Sequence, residues 1–127
     1  MTVKSTMTMQ TTATRRKREC KLAFHVERRS HFLLVAIQGE ASFEQAEFLS
    51  AQLLRIALDA CALVVLDLAE LTFISSRAMH ALVEYRVRLG RRGIDIRLAN
   101  VPALVWEALE SAGLGELFGR IDLDQQT

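Results

Sequence analysis

Two hydrophobic periods alternate along this chain. "KLAFHVE" puts Leu22, Phe24 and Val26 on one side and Lys21, His25 and Glu27 on the other, the period of a half-buried strand. A turn at "RRS" leads into "HFLLVAIQG", whose unbroken apolar run predicts a strand covered on both faces and ending at Gly39. In "EASFEQAEFLSAQLLRIALDA", Ser42 and Gln45 have capping-box spacing, and Ala46, Leu49, Leu53, Ile56 and Ala60 follow at helical spacing. "ALVVLDL" predicts a central strand buried on both faces. A second helix is predicted from about Ser76 to Leu89. Its inner face is Ala78, Leu82, Tyr85 and Leu89, and its outer face is Arg77, His80, Glu84 and Arg88, with Glu84 and Arg88 spaced to pair. Gly90 or Gly93 ends it through a left-handed turn. "IDIRLAN" alternates again with Ile94, Ile96 and Leu98 inward, and a third helix runs from near Pro102 to Gly113. "LGELFGRIDL" adds a short helix and an edge segment. Strands joined by helices pair in parallel through right-handed crossovers, which predicts a single α/β domain. Its sheet is mixed and mainly parallel, four- to five-stranded, and layered with three to four helices.

Length allows one domain, and an apolar content of 50% fills its core. Charge is uneven. Residues 1–18 hold five of the 16 basic side chains (Lys4, Arg15, Arg16, Lys17 and Arg18) and none of the 15 acids, leaving a body of net charge −4. An acidic body argues against direct nucleic-acid binding, which draws its affinity from cations that neutralise phosphates. The basic head lacks the apolar stripe of a targeting helix and is expected to be a disordered segment over 1–18, with the domain over 19–127. No apolar run reaches a membrane span, so no membrane insertion is expected and the protein is expected to be cytoplasmic. Cys20 and Cys61 form no disulfide framework and fit a reducing compartment, with Cys61 a packing residue.

Candidate chemistry is sparse. Ser76 and His80 stand at i and i+4, the spacing of a nucleophile and its base, but no third group orients the imidazole and G-x-S-x-G is absent. No catalytic role is expected. Cys20, His25, His31, Cys61 and His80 lack metal-ligand spacing, so no metal is expected. "GLGELFG" reads G-x-G-x-x-x-G after a helix rather than a strand, and Gly113 is better explained as a helix cap than as part of a phosphate loop. Trp106, beside Leu104, Val105 and Leu109, reads as a partly buried packing residue. Ser75 and Ser76 remain. One of them suffices as N-cap, and a phosphoserine at a helix start is tolerated because free N–H groups and the dipole favour negative charge.

The residues Gly39-Glu40, "LVVLDLAELTFISSRAM", "GIDIRLANVP" and "ALESAGLGELF" together resemble the STAS domain family, and within it the bacterial anti-sigma factor antagonists, over about residues 21–121. Family members read F-I-D-S-S-G-L where this chain has Phe73, Ile74, Ser75, Ser76, Arg77, Ala78 and Met79. The resemblance implies a non-enzymatic partner switch without cofactor. The unmodified protein binds an anti-sigma factor that is also a serine kinase, phosphorylation of Ser76 (alternatively Ser75) blocks binding, and a phosphatase resets it. ATP belongs to the kinase. The implied partner-binding residues are Gly39, Glu40, Ser75, Ser76, Arg77, Met79 and His80, and a homodimer is left open. Three departures stand out. Ser75 replaces an acid, Arg77 replaces a small residue and could pair with a phosphate or obstruct the partner surface, and Ala78 adds a methyl where family members have glycine. An alternative keeps the fold as a non-phosphorylated scaffold in a stress-signalling or transporter assembly, and a serine hydrolase using Ser76 and His80 stands third.

Overall fold

In the computed structural model, which describes residues 5–7, 22–59 and 61–125, seven strands and three α-helices follow in order. They are β1 (Ser5–Met7), β2 (Ala23–Arg28), β3 (Leu33–Ala41), α1 (Ala46–Leu54), β4 (Leu63–Asp67), β5 (Leu71–Ile74), α2 (Ser76–Arg91), β6 (Asp95–Ala99), α3 (Ala103–Ser111) and β7 (Gly119–Arg120). The sheet order is β1-β2-β3-β4-β6-β7, with β5 on the far end of β3. β1, β2 and β3 pair antiparallel, and every other pairing is parallel. The mixed, mainly parallel sheet predicted from the chain is therefore present, with more strands than the four or five expected. The four long ones are those read from hydrophobic pattern. β7, two residues long, falls in the predicted edge segment, and the additions, β1 and β5, have three and four residues, too few to show a period.

β1 lies within the 1–18 head, where Ser5–Met7 pairs with Phe24–Val26. Residues 1–4 and 8–18, and Cys20, lie outside the described residues.

The unbroken apolar run of β3 has the predicted cause. Leu33, Val35 and Ile37 join the main core, to which all three helices contribute, while Leu34 belongs to a second cluster with Phe32, Val65 and Ala99, packed by Leu63, Ile121 and Leu123. β3 does not stop at Gly39. The pairing shifts between Gly39 and Glu40, where Gly39 takes φ 113°, and the strand continues to Ala41 beside β5. A bulge re-aims a strand, and a positive φ is cheap only for glycine. The bulge is tied by Gly39 N–H to the Glu70 carbonyl (3.0 Å) and by the Thr72 hydroxyl to the Gly39 carbonyl (3.2 Å).

The predicted capping box of Ser42 and Gln45 does not form. Ser42 opens a short 3-10 turn, Phe43–Gln45, with no side-chain cap, and α1 ends at Leu54 rather than near Ala60. Ala46, Leu49, Leu53 and Ile56 are buried as the spacing predicted. α2 buries Ala78, Leu82, Tyr85 and Leu89, again as predicted, and Gly93 rather than Gly90 takes the left-handed turn at φ 75°. Glu84 turns to His80, at 3.1 Å, instead of pairing with Arg88. Pro102 is the N-cap of α3 rather than within its first turn, and Gly113 follows its end at φ 78°. Trp106 packs against the core, with the Arg120 guanidinium 4.0 Å from its ring centroid.

Tyr85 carries a cost inside this core. Its hydroxyl is buried with no hydrogen-bond partner among the described residues. Burial, with Cys61 adding and Arg92 opposing, pushes its pKa up from 10.0 to about 12. An unfolded chain loses this proton near pH 10 while the folded one keeps it, so stability holds below pH 10 and falls between about pH 10 and 12, by up to about 3 kcal/mol. Tyr85→Phe is expected to remove that part of the alkaline loss. At neutral pH the variant is expected to be more stable by about 1 kcal/mol, because an unpaired buried hydroxyl is gone. Urea unfolding of both proteins from pH 7 to 11.5 reads this out, and equal alkaline slopes would refute it.

Candidate partner-docking site

The start of α2 is built by β5. Ile74 is buried, and the next residue is fastened to the strand end by Ser75 N–H donating to the Ala41 carbonyl at 2.8 Å. Ser75 then has extended backbone (φ −84°, ψ 165°), and its Oγ accepts from Ala78 N–H at 3.1 Å. That geometry is an N-cap. Ser76 is the first helical residue and is exposed. The two serines thus divide their roles by position: Ser75 closes the helix, and the Ser76 side chain faces solvent.

This division has a measurable consequence. Ser75→Ala is expected to cost about 1 kcal/mol, within the usual 0.5–2 kcal/mol for a lost cap, whereas Ser76→Ala should stay within about 0.5 kcal/mol of the parent. Denaturant midpoints at unchanged slope test it. Equal losses for both variants would contradict the assignment.

Around the start of α2 the structure gathers residues from four other segments. Gly39 and Glu40 sit at the bulge, Glu40 exposed. Phe73 of β5 is 50% exposed and Phe43 of the 3-10 turn 61% exposed. The guanidinium of Arg77 lies 4.9 Å from the Phe43 ring centroid, and its Nη2 is 3.9 Å from Glu47 Oε2 of α1. Exposed aromatics in contact with solvent and cations are common at interfaces. Neither Phe43 nor Phe73 figured among the residues predicted from sequence. Phe73 sits in a four-residue strand whose two central positions are both exposed, so no alternation marks it as outward-facing.

Two predicted contact residues stand differently. Met79 is only 7% exposed and belongs to the core, so its side chain supports the surface from beneath instead of presenting to a partner. His80 is exposed, its Nε2 paired with Glu84 Oε2. Glu84 is the third group that sequence spacing did not supply for a Ser76–His80 pair. His80 and Glu84 are both well exposed, however, with side-chain accessibilities of 70% and 62%, so solvent screens their pair and nothing holds it rigidly. No hydrogen bond joins Ser76 to His80 among the described residues. No group of three His, Cys, Asp or Glu able to hold a metal occurs among the described residues. No helix among them is long and apolar enough to cross a membrane.

The ends of the neighbouring strands are locked to this site. Asn100 takes φ 54° and its Nδ2 donates to Asp67 Oδ1 at 3.1 Å, the same oxygen that accepts from Ala69 N–H at 3.1 Å. Asparagine tolerates this backbone better than other residues with a side chain. The bridge fixes the turn that delivers β5, and hence Ser75 and Ser76, to the surface.

A mainly parallel sheet and three helices, with an exposed serine at the head of the second helix beside exposed aromatics, define the class: small α/β domains whose notable surface is a helix start rather than a cleft. The model of the STAS domain matches residues 23–127, and the chain belongs to that family. Among solved structures it is similar to an anti-sigma factor antagonist from Mycobacterium paratuberculosis (TM-score 0.71, 20% identity, covering 83% of this chain and 90% of that one). It is also similar to the anti-sigma factor antagonist SpoIIAA in its unphosphorylated form (TM-score 0.62, 18% identity, 79% and 87% covered). A third likeness is to a sulfate transporter family protein from Wolinella succinogenes (TM-score 0.60, 26% identity, 70% and 74% covered). Among curated protein sequences none matches the chain.

Proposed function

We propose that this protein is an anti-sigma factor antagonist. In this reading it docks on an anti-sigma factor kinase through the surface at the start of α2 and is switched off by phosphorylation of Ser76. The observation that carries the reading is the division of labour between the serines: Ser75 makes the cap bond, so Ser76, exposed at the first helical position, can be modified without undoing the helix. A phosphate there gains roughly 0.3–1 kcal/mol from the helix dipole. It also brings about −1.5 to −2 charges into a docking surface, where like charge costs several kcal/mol. The fold survives and the partner leaves. The kinase partner supplies ATP: the Ser76 Oγ takes the γ-phosphoryl group, ADP leaves and the hydroxyl proton is released. A phosphatase restores the serine by hydrolysing the ester with water and releasing phosphate. Glu40, Phe43, Phe73, Arg77 and His80 form the contact surface, and the protein works in the cytoplasm without cofactor or catalysis of its own.

The test is peptide-level mass spectrometry of the protein purified from its host, with and without phosphatase treatment. Phosphate on Ser76 supports the switch. An unmodified serine pair across growth conditions would overturn it in favour of a second reading, a non-phosphorylated scaffold in a transporter-associated or stress-signalling assembly. That second reading is favoured by the 26% identity to the sulfate transporter family protein, the highest of the three likenesses described above.

A further inference from the structure

We infer that Arg77 is the responsive element of this surface: in the unmodified protein its guanidinium rests on Phe43 and Glu47, and a phosphate on Ser76 draws it off both. The inference rests on the Ser76 reading above and adds a change of surface to the change of charge.

Arg77 bridges α2 to the turn and helix that follow β3, stacking over Phe43 at 4.9 Å and touching Glu47 at 3.9 Å. Both contacts are weakly held. The ion contact is long, and the Glu47 side chain is 87% exposed, so solvent competes for each charge. The cation over Phe43 is likewise at the surface, where such contacts are weakest.

A phosphate on the adjacent residue is a stronger competitor. Adjacent helical side chains diverge by about 100°, so a short side chain at position 77 would not reach back to Ser76, whereas arginine has the length. Its planar fork of five N–H donors matches phosphate oxygens two at a time. The nearby charges on the surrounding elements are mostly negative: Glu40 at the end of β3, Glu44 in the 3-10 turn, Glu47 on α1 and Glu84 on α2, the last paired with His80. These acids disfavour a dianion, and His80, one turn on from Ser76, is engaged by Glu84, which leaves Arg77 as the cation placed to stabilise it. Moving the guanidinium uncovers Phe43, already 61% exposed, and leaves Glu47 without its partner. The docking surface then differs in shape and in charge.

The experiment uses the full chain with phosphoserine incorporated at position 76 during translation, compared with the same protein carrying Arg77→Ala. Phosphorus NMR across pH reads the second ionisation of the phosphate, and carbon-edited spectra read the Phe43 ring. With Arg77 present, that ionisation should lie lower than in Arg77→Ala by about half a pKa unit or more. Phosphorylation should also move the Phe43 ring signals towards those of unphosphorylated Arg77→Ala. Equal phosphate ionisation in the two proteins, or Phe43 signals indifferent to the phosphate, would overturn the inference. Because the phosphate is installed directly, a host that never modifies Ser76 defeats the switch while leaving this result intact, and the reverse also holds.

Discussion

If the protein is the proposed antagonist, Ser76→Asp is expected to bind an anti-sigma factor on the order of 100-fold more weakly than the parent, while Ser76→Ala binds as the parent does. The size follows from burying a fixed negative charge, with no counter-charge evolved to meet it, in the proposed docking surface at the exposed Ser76 position. Several kcal/mol of such cost corresponds to two or more decades in Kd. Aspartate carries about half the charge of a phosphate, so the phosphorylated protein should bind more weakly still. Ser76→Ala removes a hydroxyl that makes no cap bond, and the helix start keeps its closure through Ser75. Titration calorimetry with the partner isolated from the host checks both variants. Indifference to both substitutions would rule out the switch and leave the scaffold reading. Ester turnover by the purified protein that disappeared in His80→Ala would instead revive the hydrolase.

Leu82→Ala is expected to lower stability by about 2–5 kcal/mol, a large part of the roughly 5–15 kcal/mol that holds a domain of this size together. Leu82 is 1% exposed and belongs to the core that joins α2 to the sheet. Removing its branch takes away transfer energy and leaves a cavity that the close-packed neighbours only partly fill. The neighbouring position Val87, 44% exposed on the same helix, serves as the contrast: Val87→Ala should stay within about 0.5 kcal/mol. Urea unfolding gives both values, and comparable losses would mean that α2 does not pack through the face described. The two predictions together separate the residues that hold α2 from those that its first turn displays.

The division between what the chain reveals and what folding adds can be followed residue by residue. β3 and β4 are legible because sheet strands covered on both faces need unbroken apolar runs. α2 is legible because sixteen residues give four turns over which a buried stripe repeats. β5 is not legible, since four residues with two exposed centres present no period, and its existence depends on the Gly39 bulge that turns β3 towards it. The Ser42–Gln45 spacing misleads for a related reason. A capping box is a local pattern, and here the chain leaving β3 enters a 3-10 turn first, so Ser42 caps nothing with its side chain.

The candidate site shows the same boundary. The serine pair at a helix start, and the resemblance it carries, are properties of contiguous residues and can be read without coordinates. Which serine caps is decided by the backbone that β5 delivers, held to Ala41 by one hydrogen bond. That Met79 is core and Phe43 is surface follows from how α1, α2 and the sheet meet. The contact of Arg77 with Phe43 joins positions 34 residues apart, and no local period encodes such a pairing. The sequence by itself determined the order of the long strands and helices, the inward faces of those helices and the serine-headed second helix, because these depend on short-range periodicity and capping chemistry. Only the tertiary structure decided which serine is free, which side chains surround it and what Arg77 touches, because those outcomes depend on long-range packing between segments that meet only when the sheet has formed.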